Sequence, residues 1–227
     1  MRRWLLRASM LLGLGCSDLT DGGGGVVELE IGVPAVTTVD VGESIQLTAR
    51  ALDKDGNAVS TPVTWVGNAS VTVDGNGLVT GAAAGAGEVQ AFVGSLSSDR
   101  VPITVLTRAD SVMLVGDSVV VIPPDVSTSA PVSVQVRSFT LGEPLPSRPM
   151  VYTLTYPPTV GHIPAQLPGG VVIDTVSTGT TGLEASITVS RVAGVQSPDT
   201  AFLSVRSYRA TGADVAGSGQ RFIVLFQ

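Results

Sequence analysis

Ile45-Gln46-Leu47-Thr48-Ala49-Arg50-Ala51 alternates apolar and polar residues without a break. A strand turns successive side chains to opposite faces, so Ile45, Leu47, Ala49 and Ala51 form one buried face while Gln46, Thr48 and Arg50 meet water. The same period returns in Val89/Ala91/Val93, Val101/Ile103/Val105, Val132/Val134/Val136, Tyr152/Leu154/Tyr156 and Ile187/Val189. Turn residues separate the runs at intervals of about 8 to 12, the spacing of a β-sandwich. No stretch of comparable length carries a 3.6-residue apolar stripe free of Gly or Pro. The chain reads as all-β, with essentially no helix after its leader. The last run differs from the others: Phe222, Val224 and Phe226 alternate with Arg221, Ile223 and Leu225, so both of its faces are apolar. Such a strand is either central and covered on both sides, or its outer side meets another domain or chain.

The 227 residues exceed what one domain usually needs, and 44% hydrophobic residues can fill two cores. Gly 27 and Pro 14 supply turns, and only 14% charged residues sets the chain apart from disordered tails. Lys54 and twelve arginines stand against 19 acids, a balance that argues against a nucleic-acid partner held by phosphate contacts. One His and one Cys exclude an intrachain disulfide and a multi-His or Cys-rich metal site. No cofactor, metal or catalytic residue is expected.

Arg2, Arg3 and Arg7 precede the apolar stretch Ala8 to Gly15, a signal-peptide pattern too short to span a membrane. Leu14-Gly15-Cys16 resembles a bacterial lipobox, although Gly13 stands where that motif usually has Leu. The resemblance implies cleavage after residue 15 and a lipid on Cys16; the competing reading is ordinary secretion with a stray thiol. Ser17, rather than Asp, after the cysteine implies sorting to the outer membrane. Cleavage takes away three arginines and no acid, moving the net charge from −6 to −9. Residues 16–25, ending in Gly22-Gly23-Gly24-Gly25, form a flexible tether.

Val41 to Ala49 is followed by Asp53-Lys54-Asp55-Gly56, Val63-Thr64-Trp65, Val71 to Gly81 and Ala84-Gly85-Ala86-Gly87. In this order the five segments resemble the bacterial immunoglobulin-like group 2 domain, with Val66-Gly67-Asn68 where Ser-Ser usually follows the Trp. The resemblance implies an immunoglobulin-like sandwich over residues 26–107. Trp65 is expected in its core, where an aromatic contributes ~200 Å² of buried surface. Asp74-Gly75-Asn76-Gly77 suits a tight hairpin, and Gly85 and Gly87 a chain reversal before a strand starting at Glu88. Thr107 to Asp110 separates a second sandwich, residues 110–227. Its Gly142-Glu143-Pro144-Leu145-Pro146, Val151 to Leu154 and Asp174 to Ala185 loosely resemble the invasin-type group 1 domain.

Asp53, Asp55 and Asn57 have the oxygen spacing that opens a calcium loop, but Thr64 stands where the bidentate Glu belongs, which favours a polar turn. His162 lies in the Pro-rich stretch Pro157 to Gly170 with no nearby acid or thiol, and reads as a loop imidazole rather than a base. Ser177, Thr178, Thr180 and Thr181 beside Asp174 read as a hydroxyl-rich turn, since no Gly-x-Ser-x-Gly elbow exists. Alternation assigns Trp65, Tyr152, Tyr156, Phe222 and Phe226 to the core and leaves Phe92, Phe139, Phe202 and Tyr208 uncommitted, a poor supply for a sugar-stacking platform.

Two tandem immunoglobulin-like β-sandwiches after a signal peptide imply a non-enzymatic lipoprotein of the bacterial cell envelope. By resemblance it is a stalk or adhesion module, fixed to the outer membrane or cell surface through Cys16, with an envelope protein or glycan as ligand. The alternative is an accessory structural subunit of a larger envelope complex, docking through its C-terminal strand.

Overall fold

The computed structural model describes residues 25–156, 165–181, 183–193 and 200–227. The leader 1–15, Cys16, the tether up to Gly24, and His162 lie outside them. The described residues form 21 strands, one short 3-10 turn (Pro168–Gly170) and no α-helix. No helix among them is long and apolar enough to cross a membrane.

The first eleven strands are β1 (Glu28–Gly32), β2 (Thr38–Asp40), β3 (Ser44–Gln46), β4 (Thr48–Leu52), β5 (Ala58–Val59) and β6 (Thr64–Gly67), then β7 (Val71–Val73), β8 (Leu78–Gly81), β9 (Gly85–Val93), β10 (Leu96–Ser97) and β11 (Val101–Leu106). They pair only with one another, in the orders β1-β4-β5, β3-β8-β7 and β10-β9-β11-β2, with β6 also on β9. Ten strands follow: β12 (Ser111–Val115), β13 (Val119–Ile122), β14 (Val132–Arg137), β15 (Pro149–Thr155), β16 (Ala165–Gln166), β17 (Ile173–Ser177), β18 (Ala185–Ile187), β19 (Ser190–Arg191), β20 (Thr200–Ser207) and β21 (Gln220–Phe226). Their sheets run β12-β14-β18, β13-β21-β20-β15-β17 and β16-β19.

Both halves use one topological device. The chain starts antiparallel in one sheet, β1 on β4 and β12 on β14, then crosses over and runs parallel to the last strand, β2 on β11 and β13 on β21. Each crossing strand closes one side of its sandwich, so β21 is not an edge.

The alternation read from the sequence is the burial pattern in most runs, but Ile45 to Ala51 is divided at Leu47 into β3 and β4 of two different sheets, with Ile45 and Ala49 half-buried. Val89, Ala91, Val93, Val101, Ile103 and Val105 are buried in the first half; Val132, Val134, Val136, Tyr152, Leu154, Phe222 and Val224 are buried in the second. The first half holds two small clusters, one around Leu47, Val79 and Ile103 and one around Leu29, Ala51 and Ala91. Trp65 corrects an expectation. It is half-buried rather than enclosed, because it lies between these two clusters and packs on both. Tyr156 is likewise only half-buried, at the rim of the second core.

The glycines Gly85 and Gly87 also differ from expectation. They lie inside β9 rather than in a reversal before it. A side chain at Gly87 would come within 2.6 Å of Val71 Cγ1 and 3.1 Å of the Ile103 carbonyl, so the residue lets β9 pass close to its neighbours. The hairpin at Asp74–Gly77 forms as read. Asp74 Oδ1 accepts the Asn76 and Leu78 N–H groups at 2.8 and 2.9 Å, and Gly77 takes φ 81°.

Candidate functional site

The segment Thr107–Asp110 is clamped from both sides, and the residues that clamp it form the most densely bonded polar cluster between the halves. Asp40 ends β2 and is fully buried. Its Oδ1 accepts from Arg148 Nη1 at 2.9 Å, and its Oδ2 accepts the Ala109 N–H at 3.1 Å. Arg148, just before β15 and 6% exposed, also donates through Nη2 to the Thr107 carbonyl. Ala109 itself is fully buried, and its carbonyl accepts from Arg209 Nε at 3.0 Å. Outside this centre, Glu43 Oε1 accepts the Thr211 hydroxyl at 2.7 Å.

The backbone around Arg148 is fixed by Thr178. This buried hydroxyl accepts the Arg148 N–H at 2.9 Å and donates to the Leu145 carbonyl at 2.7 Å. A charge pair removed from water is stabilising only when its remaining donors and acceptors are met, and here both Asp40 oxygens and both Arg148 Nη atoms have partners. The arrangement ties β2 of the first half to the segment before β15 of the second, with Thr107 and Ala109 of the connecting segment bonded into it.

Beside the joint lies a groove of about 390 Å³ lined by Val41, Ala82, Ala84, Arg108, Ser138 and Leu141, among others. Ser138 is buried there with no hydrogen-bond partner for its Oγ, and Phe139 next to it is 74% exposed. A second cleft, of about 680 Å³, runs between β1 and the start of β11. Its two arginines are paired, Arg50 with Glu30 and Arg100 with Glu88, and Glu28 and Asp99 also line it.

Of the residues singled out in the sequence, Asp53 serves a turn. Asp53 Oδ1 accepts the N–H groups of Asp55 and Asn57, both at 2.9 Å, and its Oδ2 takes the Asn57 amide at 3.2 Å. These bonds, the one to the Asn57 backbone foremost, hold the Asp53 carboxyl below its ordinary value. Asp53 and Asp74 are thus the same Asx-type device in two hairpins. Asp174 Oδ1 accepts the N–H of Thr175 at 2.8 Å. Ser177 ends β17, Thr180 and Thr181 are exposed, and of the four hydroxyls Thr178 alone is buried. Cys16 and His162 lie outside the described residues. Among the described residues no group of three or more His, Cys, Asp or Glu is placed to hold a metal.

The aromatics are dispersed. Tyr152 is buried, its hydroxyl donates to the Ala185 carbonyl at 2.7 Å, and burial pushes its phenol well above the ordinary value. Tyr156 donates to the Ala165 carbonyl. The ring of Phe202 lies under the Arg221 guanidinium at 4.9 Å, while Phe139 sits in the loop after β14.

The order of strands, with β1 and β2 split between two sheets and Trp65 on β6, is that of an immunoglobulin-like sandwich. Residues 32–105 match the bacterial Ig-like domain (group 2). This group 2 segment spans β2 to β11 nearly whole and includes Asp40, the anchor of the joint. None of the curated proteins compared matches the chain. Among solved structures the chain is similar to the Yersinia pseudotuberculosis adhesin InvE, at 13% identity and TM-score 0.42, over 90% of this chain and 60% of that one. It is also similar to the Clostridium thermocellum CbhA fibronectin(III)-like modules, at 16% identity and TM-score 0.40, over 88% of this chain and 94% of that one. A third likeness is to domains 4 and 5 of the S-layer protein SbsC, at 17% identity and TM-score 0.31, over 88% and 98%.

Sequence reasoning missed Asp40, Arg148, Glu43 and Thr211. The one local signal was Asp40 itself, a carboxylate closing the apolar-alternating Thr38-Val39-Asp40, because a buried acid needs a partner. Nothing local named Arg148, which lies 108 residues away.

Proposed function

We propose that the chain is a non-enzymatic cell-envelope lipoprotein whose two β-sandwich halves act as a stiff surface stalk carrying an adhesive or binding surface. The buried Asp40–Arg148 pair carries this reading, because it ties the group 2 segment to the C-terminal half as a spacer requires. Polar groups that the sequence offered for calcium or catalysis are engaged with the backbone: Asp53 holds a turn, Asp174 accepts the Thr175 N–H within β17, and Thr178 bonds Arg148 and Leu145. A lipid on Cys16 and the glycine run after it would fix the stalk to its membrane, two acyl chains being enough for stable anchoring. The ligand is an envelope protein or a glycan, and nucleic acid is not a partner of so acidic a surface.

Replacing Cys16 with Ser tests the anchor: the variant leaves the membrane fraction, and unchanged fractionation contradicts the lipoprotein reading. Screening the soluble variant against envelope glycans and envelope proteins tests the binding role.

A second reading, an accessory subunit of a larger envelope complex, is favoured by the outer face of the five-stranded C-terminal sheet. Val119, Val121 and Ile223 are 43%, 42% and 38% exposed there, side by side on β13 and β21. The docking element read from the sequence was β21; the strand at the edge beside it is β13.

A further inference from the structure

We propose that two copies of this chain pair edge to edge through β13, which deepens the second reading by naming the partner. β13 ends its sheet, with β21 as its hydrogen-bonded neighbour. Ile223 N–H donates to the Ser118 carbonyl at 2.8 Å and Gln227 N–H to the Ile122 carbonyl at 3.0 Å. In a ladder of this parity Ser118, Val120 and Ile122 turn their backbone groups to β21, and Val119 and Val121 turn theirs outward. An outward row of N–H and C=O groups is a template for another strand.

Three other edges are blunted. β1 carries Glu28 and Glu30. On β12, Val112 donates to the Ala216 carbonyl and its own carbonyl is taken by Gln220. On β17 the Thr175 N–H is capped by the Asp174 carboxylate. β13, Val119-Val120-Val121-Ile122, has no charge, Pro or Gly within it.

The occupant follows from self-complementarity. An antiparallel second β13 places Val119 opposite Val121 of the second copy and Val121 opposite its Val119. Both are hydrogen-bonded pairs, with Val120 facing Val120 on the two-fold axis. The four exposed valines of positions 119 and 121 then form cross-strand pairs on one face. Asp117 falls opposite Pro123 of the second copy rather than opposite an acid. The Pro123 carbonyl is held by the Arg191 guanidinium at 3.1 Å, so each acid arrives beside a cation.

Sedimentation of the full chain bearing Cys16→Ser tests the pairing. It is expected to show a concentration-dependent dimer. Val121→Pro removes one outward N–H and no bond to β21, so this variant is expected to be monomeric with an unchanged circular dichroism spectrum. Val120→Cys in the same background, at a non-hydrogen-bonded pair with Cα atoms about 4.5 Å apart, is expected to oxidise to a covalent dimer. Val119→Cys is not, because it faces position 121. A monomer at every concentration, a dimer that survives Val121→Pro, or cross-linking at 119 rather than 120 overturns the proposal. The wider docking reading fails separately, if cross-linking of whole envelopes yields no complex containing this chain.

Discussion

Arg148 and Asp40 are 108 residues apart in sequence and meet at 2.9 Å, with side chains 7% and 0% exposed. Each half therefore contributes one charge to a site from which water is excluded. Removing one partner strands the other, a loss of about 3–5 kcal/mol. Arg148→Ala should lower stability by that amount in urea unfolding. Replacing both residues by an apolar pair of similar volume should recover most of it, since the pair's main work is to fix geometry. A single variant costing under about 1 kcal/mol would mean the site is wetter than its burial indicates.

Gly77 allows no side chain. Its φ is 81°, and a Cβ would lie 2.6 Å from the Leu47 carbonyl and 2.9 Å from Trp65 Cζ2. Gly77→Ala combines left-handed strain with a backbone clash and should cost at least about 2 kcal/mol. A Cβ at Gly75 would meet no atom within 4 Å, so Gly75→Ala should change little. Thermal melts of the two variants separate geometry from composition.

Tyr152 joins the two sheets of the C-terminal sandwich, β15 through its side chain and β18 through the Ala185 carbonyl. Tyr152→Phe leaves that buried acceptor unmet and should cost about 1–3 kcal/mol. Burial raises the folded-state value of the phenol, so the neutral form stabilises the fold. That contribution is complete below the unfolded value of 10.0 and declines as pH rises above it. Stability measured through the alkaline range should fall more steeply for the wild type than for Tyr152→Phe.

The Asp53 turn runs the other way. Its carboxyl is held below 3.8 by N–H donors, so the ionised form favours the folded turn. The contribution is present above about pH 4 and is lost as pH falls through the lowered folded value. Asp53→Asn should be less stable than the wild type near neutrality, and the two should converge in acid. Because both oxygens already accept from Asp55 and Asn57, added calcium should leave the melting temperature of the wild type unchanged.

The period-two pattern made the sheets legible, because burial of one face imposes it locally: Val132, Val134 and Val136 are all buried as the pattern requires. Turn chemistry was legible for the same reason at Asp74–Gly77. Trp65 was misjudged because its depth depends on how two small clusters meet, which no window of sequence records. The joint was invisible for a related reason. Arg148 resembles any loop arginine until the fold carries Asp40 to it, and the exposed edge of β13 emerges only once β21 is seen to lie inside the sheet.

A stalk works only if its two sandwiches move as one stiff body. Spin labels on Cys substituted at the exposed Thr72 and Thr175, with Cys16 replaced by Ser, report the distance between the halves by pulsed dipolar spectroscopy. One narrow distance peak that broadens in Arg148→Ala is the expected result; a broad distribution already present with Arg148 intact would contradict it.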